Sequence, residues 1–493
     1  MFAKITPEQA GIPSSAVTKF IKTLERRGLF MHSVLLMKGN DLFGEFYWKP
    51  FHKDFCHRMY SQTKSFVSVA IGLLEEDGLL NLNDPIVTYF PDKYTRELPA
   101  YLQQMTIHQM LTMQTCGDTP SWFYHEEPDR TRLYFEQNYC THPAGHQFRY
   151  DSAGSQVLST LVERLTKTTL FDFLNQRIFR HLNAFQTATI LKTKNDDSFG
   201  DSALVCTTRD MAAFARFVMN YGTWNGKRLI NEAYLRTATS RLVDNNRTGF
   251  DHSFTEGYGY QIWRTREDGF AFNGMGCQLT ICIPKKDLIF CCTADNQGLD
   301  SAKDLIYSAF FEQIVDYMGD APLAENATAY AQCAALEDQL TLGCLRGDAD
   351  SDFASQISGK TYRFAENSAG FRQFSLQFFP DHTGELCYVN EQGEKHLSFG
   401  LGKNAFGKFP QEGYSTLHAG SPNGEGYLYD CAACAVWGEA QNLRIKVQII
   451  DQYLGNLHMI FSFRDDVAFV SMVKKAEAFL DEYQGSFLAY RCD

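Results

Sequence analysis

The sequence predicts an α/β (α+β) protein in which a central antiparallel sheet is flanked by helices and a separate antiparallel β domain follows. Two observations lead to this prediction. Strand-like and helix-like patterns alternate through residues 1–317, whereas from residue 357 only short strand-like runs with intervening turn residues remain. A chain of 493 residues is also long enough for more than one hydrophobic core. We therefore expect a mixed domain over 1–317, a helical acidic connector over 318–350, and a small β-barrel or sandwich over 351–493.

The mixed domain is predicted to begin with a hairpin and to continue into helices. Residues 33–47 hold two apolar runs around a Lys-Gly-Asn-Asp turn, a pattern typical of a β-hairpin. A polar segment starting at Ser61 leads into an apolar stretch that ends near Asp77-Gly78, as expected for a helix with glycine after its C-terminus. The spacing of apolar residues predicts further helices over 106–113, 155–166 and 210–221.

The end of the mixed domain is predicted to supply most of the sheet. Residues 258–263 alternate between apolar and polar types, and residues 278–293 hold two apolar runs around Lys285-Lys286-Asp287, which predicts an antiparallel hairpin. A helix over 301–317 would close the domain. In the C-terminal domain the clearest predicted strands are 374–379, 443–450 and 457–463.

Composition and charge exclude several classes of function. The formal net charge of −12 argues against a nucleic-acid-binding protein, and no run of about 18 apolar residues predicts a membrane span. The N-terminus lacks a basic segment followed by an apolar one, and the 14 cysteines suit a reducing compartment, so we expect a cytoplasmic protein. Cys431 and Cys434 lack a second pair at zinc spacing and are predicted to be two buried thiols; we expect no metal and no cofactor.

Ser61, Gln62, Thr63 and Lys64 form an S-x-x-K segment at the predicted start of a helix. Residues three apart share one helix face, so the lysine amine can lie beside the serine hydroxyl. Burial favours the neutral amine, which can then help to take the serine proton. The Ser61 N–H near the helix N-terminus would favour a developing oxyanion. The alternative is an N-cap serine with a solvated lysine, since such a pair also occurs by chance.

Three further segments follow in a recognisable order. They are residues 106–117 (TIHQMLTMQTCG), 143–154 (PAGHQFRYDSAG) and 207–212 (TTRDMA). Together with S-x-x-K, the chain over about residues 5–315 resembles the penicillin-recognising serine hydrolases: class C β-lactamases, penicillin-binding DD-peptidases and related esterases and amidases. The resemblance implies the β-lactamase-like fold and a catalytic role for Tyr150, whose phenol would move a proton between nucleophile and leaving group. A buried tyrosine that bonds locally is the alternative.

Residues 272–278 (FNGMGCQ) resemble the strand beside the family's active site. The resemblance implies that Gly274 lets the strand approach the substrate and that the Met275 N–H completes the oxyanion hole with that of Ser61. Phe272 stands where lactamases and peptidases carry a cation, which resembles instead the version found in nylon-oligomer hydrolases. Ser152 replaces the family's usual asparagine, and both departures weaken the prediction of lactam chemistry. A glycine-rich bulge without a catalytic role is the alternative.

The remaining candidates lie near the expected cleft. Ser152, Asn273 and Gly274 are predicted to contact substrate through the motifs that hold them. Trp122, Phe123 and Tyr124 occupy the loop between the first two motifs and could form an aromatic substrate wall or merely stabilise the loop. His108 and His146 are predicted to be structural.

We therefore predict a serine hydrolase that forms an acyl-enzyme on Ser61 and cleaves an ester or amide of a small molecule or short peptide. Lys64 and Tyr150 would share the acid and base roles. DD-peptidase or β-lactamase activity is the alternative within enzymes, and a catalytically weak binding or sensing module is the alternative outside them. Homo-oligomerisation, the substrate and the role of the C-terminal domain are left open by the sequence.

Overall fold

The computed structural model describes residues 2–122, 125–246, 252–412, 426–439, 441–477 and 480–492. The described residues form two compact units, with the division between Thr341 and Leu342. This division lies inside the predicted connector, and the boundaries at 317 and 350 stay a prediction.

The first unit is built from helices around a sheet. Its helices are α1 (Ser14–Arg26), α2 (Thr63–Glu76), α3 (Ala100–Gln104), α4 (Ile107–Leu111), α5 (Arg130–Gln137), α6 (Ser152–Thr166), α7 (Leu170–Leu174), α8 (Arg180–Leu182), α9 (Thr208–Met219), α10 (Glu232–Ala238), α11 (Ala302–Phe310), α12 (Ala327–Ala334) and α13 (Leu336–Gln339). Its strands are β1 (Ala3–Lys4), β2 (Met31–Lys38), β3 (Asp41–Tyr47), β4 (His57–Arg58), β5 (Gly117–Asp118), β6 (Tyr139–Cys140), β7 (Thr189–Ile190), β8 (Leu204–Cys206), β9 (Thr223–Trp224), β10 (Lys227–Arg228), β11 (Trp263–Thr265), β12 (Gly269–Gly274), β13 (Gln278–Ile283) and β14 (Leu288–Ala294).

The central sheet of this unit has seven strands in the order β1-β3-β2-β14-β13-β12-β11. Its pairs are antiparallel except for β1, which runs parallel to β3. The two predicted hairpins are confirmed as β2–β3 and β13–β14. The sheet thus joins an N-terminal hairpin to a C-terminal meander, and the helices between them must pack on its faces.

Both faces of the sheet are buried, which explains why β2 is apolar without a break. Val34 and Leu36 belong to one core cluster, and Leu35 and Met37 belong to the other. On the first face α1 and α11 cover the sheet. On the second face α2 and α9 meet through Phe66 and its ring partner Phe214, stacked with centroids 3.7 Å apart. The predicted α/β class with a sheet flanked by helices is confirmed.

Two predicted elements differ from the structure. The helix expected from Ser61 begins at Thr63, and residues Tyr60–Gln62 form a 3₁₀ turn before it. The prediction of a strand over 258–263 is wrong except at its end, where β11 begins. The segment turns back on itself instead, since the Gly259 N–H donates to the Ile262 carbonyl at 2.8 Å and Gln261 has a φ of 54°.

The connector region forms short helices. The sequence predicts a helical connector over 318–350, but α12 and α13 cover only part of this range. The helix α12 begins at the N-cap Asn326, whose side chain accepts a hydrogen bond from the Ala329 N–H at 3.0 Å. Among the described residues, none of the helices combines the length and the apolar character that crossing a bilayer requires.

The second unit is a β-barrel preceded by the short helix α14 (Ala354–Ile357). Its strands are β15 (Thr361–Phe364), β16 (Gln373–Phe379), β17 (Thr383–Asn390), β18 (Gly393–Leu401), β19 (Ala405–Glu412), β20 (Leu428–Trp437), β21 (Asn442–Ile450), β22 (Leu454–Arg464), β23 (Val467–Lys475) and β24 (Gly485–Arg491). They pair in the order β18-β17-β16-β15-β24-β23-β22-β21-β20-β19, and a parallel pairing of β18 with β20 closes the barrel. Closure leaves few free edges. The expected C-terminal antiparallel β domain is confirmed, and it is a barrel rather than a sandwich.

Candidate active site

Ser61 lies in the 3₁₀ turn that leads into α2. The preceding residue, Tyr60, has a φ of 48°, a conformation that few residues other than glycine adopt. Neighbouring backbone holds this turn, because the Met59 N–H donates to the Leu204 carbonyl at 2.8 Å. Hydrogen bonding within the turn begins at Gln62, whose N–H donates to the Met59 carbonyl at 3.2 Å. The Ser61 N–H therefore precedes the bonded turns, at the positive end of the helix.

Lys64 lies one helical turn after Ser61, in α2, and is 1% exposed. Its Nζ donates a hydrogen bond to the Ser61 hydroxyl at 2.9 Å and another to the Asp201 carbonyl oxygen at 2.7 Å. The second bond anchors the amine from the opposite side. A lysine held in this way cannot swing into solvent, so it stays within proton-transfer distance of the serine.

Tyr150 lies beside this pair. The Lys64 Nζ is 5.1 Å from the centroid of the Tyr150 ring, and the ring stacks on Trp263 with centroids 5.6 Å apart. Tyr150 directly precedes Asp151, the N-cap of α6, whose side chain accepts a hydrogen bond from the Gly154 N–H at 2.8 Å. The tyrosine is thus held by a capped helix on one side and an indole on the other.

The segment 272–278 approaches the nucleophile turn through its backbone. A Cβ on Gly274 would lie 2.3 Å from the Met59 carbonyl oxygen, so only glycine permits this approach. Met275 follows at the start of a tight turn between β12 and β13. The buried Gln278 amide donates to the Met275 carbonyl at 2.8 Å and to the Ala294 carbonyl at 2.7 Å. Gln278 thereby holds the turn in which the Met275 N–H would donate a hydrogen bond to an oxyanion.

The other predicted residues of this region have distinct surroundings. Phe272 is fully buried and contacts the Phe214 ring of α9, with centroids 5.5 Å apart, so its side chain is part of the core. Asn273 is partly exposed, and its Oδ1 is a buried oxygen without a hydrogen-bond partner among the described residues. Ser152 is the first residue of α6 and is partly exposed. Asn273 therefore offers an acceptor that nothing in the described chain uses.

The aromatic loop is described only in part. Trp122 is partly exposed and packs edge-on against Phe199, with centroids 4.9 Å apart. The Arg130 guanidinium lies over the same indole, 3.0 Å from its centroid. The predicted residues Phe123 and Tyr124 lie outside the described residues. Contacts of Trp122 with the protein thus support at least a stabilising role for this loop.

Two charged or titratable groups border the site. Burial raises the pKa of Asp151, opposed by its hydrogen bond from the Gly154 backbone. Burial also lowers the pKa of His57, three residues before Tyr60, to about 4. The neutral His57 ring pairs with the ring of His32, with the two nitrogens 2.8 Å apart. The pair is a buried polar contact of β4, the strand that leads to the nucleophile turn.

The sequence did not single out three of these groups. The Asp201 carbonyl is a backbone atom, which carries no sequence signal. Trp263 belongs to an aromatic stretch that was interpreted as a strand. Gln278 could have been noticed as a polar residue at the start of an apolar strand.

The chain matches the family model "Beta-lactamase" over residues 17–309, more than half of its length. It belongs to the β-lactamase family. The resemblance inferred from the motifs is confirmed, and so is the expectation of a hydrolase. The matched range covers the strands of the central sheet from β2 to β14, together with Ser61, Lys64, Tyr150 and Met275.

Individual relatives of this β-lactamase-family chain support the same placement. It is 24% identical over 290 residues to a 6-aminohexanoate-dimer hydrolase of Paenarthrobacter ureafaciens, covering 55% of this chain and 74% of that protein. It also resembles the structure of a putative 6-aminohexanoate-dimer hydrolase from Bacillus anthracis, with a TM-score of 0.53, 17% identity, and coverage of 64% of this chain and 86% of the other. An octameric penicillin-binding protein homologue from Pyrococcus abyssi has a TM-score of 0.50 and 13% identity, covering 96% and 99% of the two chains. At these identities the structural likenesses show the fold alone.

Proposed function

We propose that the protein hydrolyses an amide or ester of a small molecule or short peptide through an acyl-enzyme on Ser61. The observation that carries this proposal is the hydrogen bond of 2.9 Å between the Lys64 amine and the Ser61 hydroxyl. A serine next to a buried amine at a helix start is one arrangement that can activate an acyl-transfer nucleophile and stabilise its oxyanion.

In the proposed first half-reaction the Ser61 Oγ attacks the carbonyl carbon of the substrate. Its proton moves to Lys64 and then, through the Tyr150 hydroxyl, to the leaving amine or alcohol as that bond breaks. In the second half a water attacks the acyl carbon, gives its proton back through the same groups to the Ser61 oxygen, and releases a carboxylic acid. Both tetrahedral intermediates carry a negative oxygen that the N–H groups of Ser61 and Met275 would hold.

The substrate proposed is neutral near its scissile bond. Phe272 is fully buried where related lactamases and peptidases carry a cation, so that position offers no charge to a substrate carboxylate. The unpaired Oδ1 of Asn273 can instead accept an N–H, which an amide substrate supplies. The 24% identity to a 6-aminohexanoate-dimer hydrolase favours a linear amide as well. Trp122, Tyr124, Ser152 and Gly274 remain proposed substrate contacts.

The test compares three substrates at matched concentration: the linear dimer of 6-aminohexanoate, a short p-nitrophenyl ester and benzylpenicillin. We expect turnover of the amide or the ester to exceed that of the penicillin by about thirtyfold to several thousandfold, because losing a charged contact costs about 2–5 kcal/mol. Ser61→Ala should lower the rate of hydrolysis by several orders of magnitude. Ser68→Ala, two turns along the same buried helix, is the matched control and should stay within tenfold of the wild type.

Two outcomes would contradict the proposal. If Ser61→Ala kept more than a tenth of the wild-type rate, the nucleophile would be another residue. If penicillin were turned over fastest, another group would supply the carboxylate contact, and the peptidase or lactamase alternative would replace this one.

A cytoplasmic location and a homo-oligomer complete the proposal. The free thiols of the fourteen cysteines support the first.

A further inference from the structure

A second cluster of reactive side chains lies on the outer wall of the barrel, in the second unit. Along β17 the buried residues alternate with partly exposed ones, so Glu385 and Cys387 share the outer face. On β18 the residue directly opposite Cys387 is His396. Opposed residues of an antiparallel pair project their side chains together. Strand register therefore gathers a thiol, an imidazole and a carboxylate on a rigid surface.

The three ligand-type atoms are close enough to share one ion. The His396 Nδ1 lies 3.2 Å from the Cys387 Sγ and 3.2 Å from the nearer Glu385 carboxylate oxygen. All the candidate ligand atoms lie within 4.8 Å of one another. In a tetrahedral zinc site the bond lengths of 2.0–2.3 Å place neighbouring ligand atoms about 3.4–3.6 Å apart. The two separations from His396 need to open by only a few tenths of an ångström, and the Cys387 and Glu385 ligand atoms lie within 4.8 Å of each other.

The far side of the imidazole also has a partner. The Glu394 carboxylate, two residues before His396 on the same strand, lies 3.6 Å from the Nε2. A carboxylate on the second ring nitrogen is the usual support for a metal-binding histidine, because it orients the ring and makes the first nitrogen a better ligand. Glu394 would therefore position His396 rather than bind the ion.

We propose that Glu385, Cys387 and His396 bind a zinc ion on the outside of the barrel. The mixture of one sulfur, one nitrogen and one oxygen suits zinc and disfavours magnesium or calcium, which take oxygen ligands. The His396 side chain is 56% exposed, so water takes the fourth position. The ion would join β17 to β18. An ordinary cross-strand pair of a histidine with carboxylates is the competing explanation, and such exposed pairs contribute little.

The sequence did not show this site because its ligands come from two strands. Glu385 and Cys387 are two apart, and His396 follows on the other side of the turn between β17 and β18. The spacing matches no familiar zinc motif, and only the register of the hairpin brings the three together. The expectation that the chain binds no metal rests on sequence spacing alone, and the proposed site departs from it.

Cobalt binding to the full-length protein, freed of metal by chelation and desalting, tests this proposal. Co²⁺ should bind at one equivalent per chain with tetrahedral visible bands and a thiolate charge-transfer band, and Zn²⁺ should bleach both. Cys387→Ser should remove the charge-transfer band. Glu394→Gln should weaken binding by about tenfold or more without changing the stoichiometry. Cys492→Ser, another partly exposed cysteine of the same unit, should behave as the wild type.

Three results would overturn the zinc site. They are a cobalt spectrum without a thiolate band, a thiolate band that persists in Cys387→Ser, and an affinity that does not change in His396→Ala. Circular dichroism of each variant shows whether the barrel is folded. Ser61→Ala should bind cobalt as the wild type does, and the chelated protein should keep its hydrolytic rate, because the proposed reaction uses no metal.

Discussion

The Lys64 amine donates a hydrogen bond to the Ser61 hydroxyl over 2.9 Å, from a side chain that is 1% exposed. The same nitrogen is held from behind by the Asp201 carbonyl at 2.7 Å. One lysine thus connects the candidate nucleophile to the backbone of a distant segment. The first prediction follows from the two demands on this nitrogen, that it be placed correctly and that it accept a proton.

Replacing Lys64 by arginine or methionine should lower kcat by about a hundredfold to ten-thousandfold, the usual effect of losing a general base. Arginine keeps a positive group in the same region but cannot be deprotonated, so it should not rescue the reaction. Lys192→Arg, on an exposed loop, is the control and should leave the rate unchanged. An active Lys64→Arg enzyme would show that the residue acts as a fixed charge and not as a base.

Tyr150→Phe tests the proposed proton shuttle. The variant keeps the ring that stacks on Trp263 and removes only the hydroxyl, so the fold should persist while kcat falls about a hundredfold or more. Tyr258→Phe is the matched control, because Tyr258 packs edge-on against the same indole at 4.9 Å. Equal rates for the Tyr150 variant and the wild type would assign the tyrosine a packing role.

The sequence predicted the local part of this site well and the non-local part poorly. Ser61 and Lys64 are three residues apart across the 3₁₀ turn and the start of α2, so their contact follows from local helical spacing. The partner of Lys64 on its other side is a backbone carbonyl at Asp201, which only the folded chain brings near.

The same distinction explains the predictions about the fold. The hairpin over 278–293 was predictable from two apolar runs around a turn. The prediction of a strand over 258–263 is wrong because apolar alternation does not reveal a turn, in which the Gly259 N–H donates to the Ile262 carbonyl. On the barrel, the register of two strands places Cys387 opposite His396, and neither residue indicates this in isolation.

Gln278 should position the oxyanion hole without touching substrate. Gln278→Met keeps the length of the side chain but loses the donor to the Met275 carbonyl. Since removing a direct oxyanion donor costs about a hundredfold to a thousandfold, an indirect loss should lower kcat by about tenfold or more while KM changes little. Thermal unfolding should accompany the kinetics. A rise in KM at constant kcat would place Gln278 in substrate binding instead.

His57 should make the first unit less stable in acid. Burial lowers its pKa from 6.5 to about 4, so between these pH values the unfolded chain binds the extra proton and the folded chain does not. The free energy of unfolding should therefore rise with pH across this window and lose about 3 kcal/mol on going from pH 7 to pH 4. Urea unfolding followed by tryptophan fluorescence measures this, because four of the five tryptophans lie in the first unit.

The control for this pH dependence is the exposed His52. His57→Gln should flatten the curve between pH 4 and 6.5, whereas His52→Gln should leave its slope unchanged. The ring of His32 faces His57, so the His57 variant is compared with the wild type at each pH rather than at a single one. A slope that survives in His57→Gln would assign the acid sensitivity to another group.

The most direct measurement is the position of a covalent label. A fluorophosphonate reacts with an activated serine by losing fluoride and leaving a phosphonyl group on the oxygen, and peptide mass spectrometry then locates that group. If Ser61 is the nucleophile that Lys64 activates, the label should lie on the peptide containing Ser61, and Ser61→Ala and Lys64→Met should label at least a hundredfold more slowly. Labelling of Ser61→Ala at the wild-type rate, or a label on any other residue of the wild type, would contradict this mechanism.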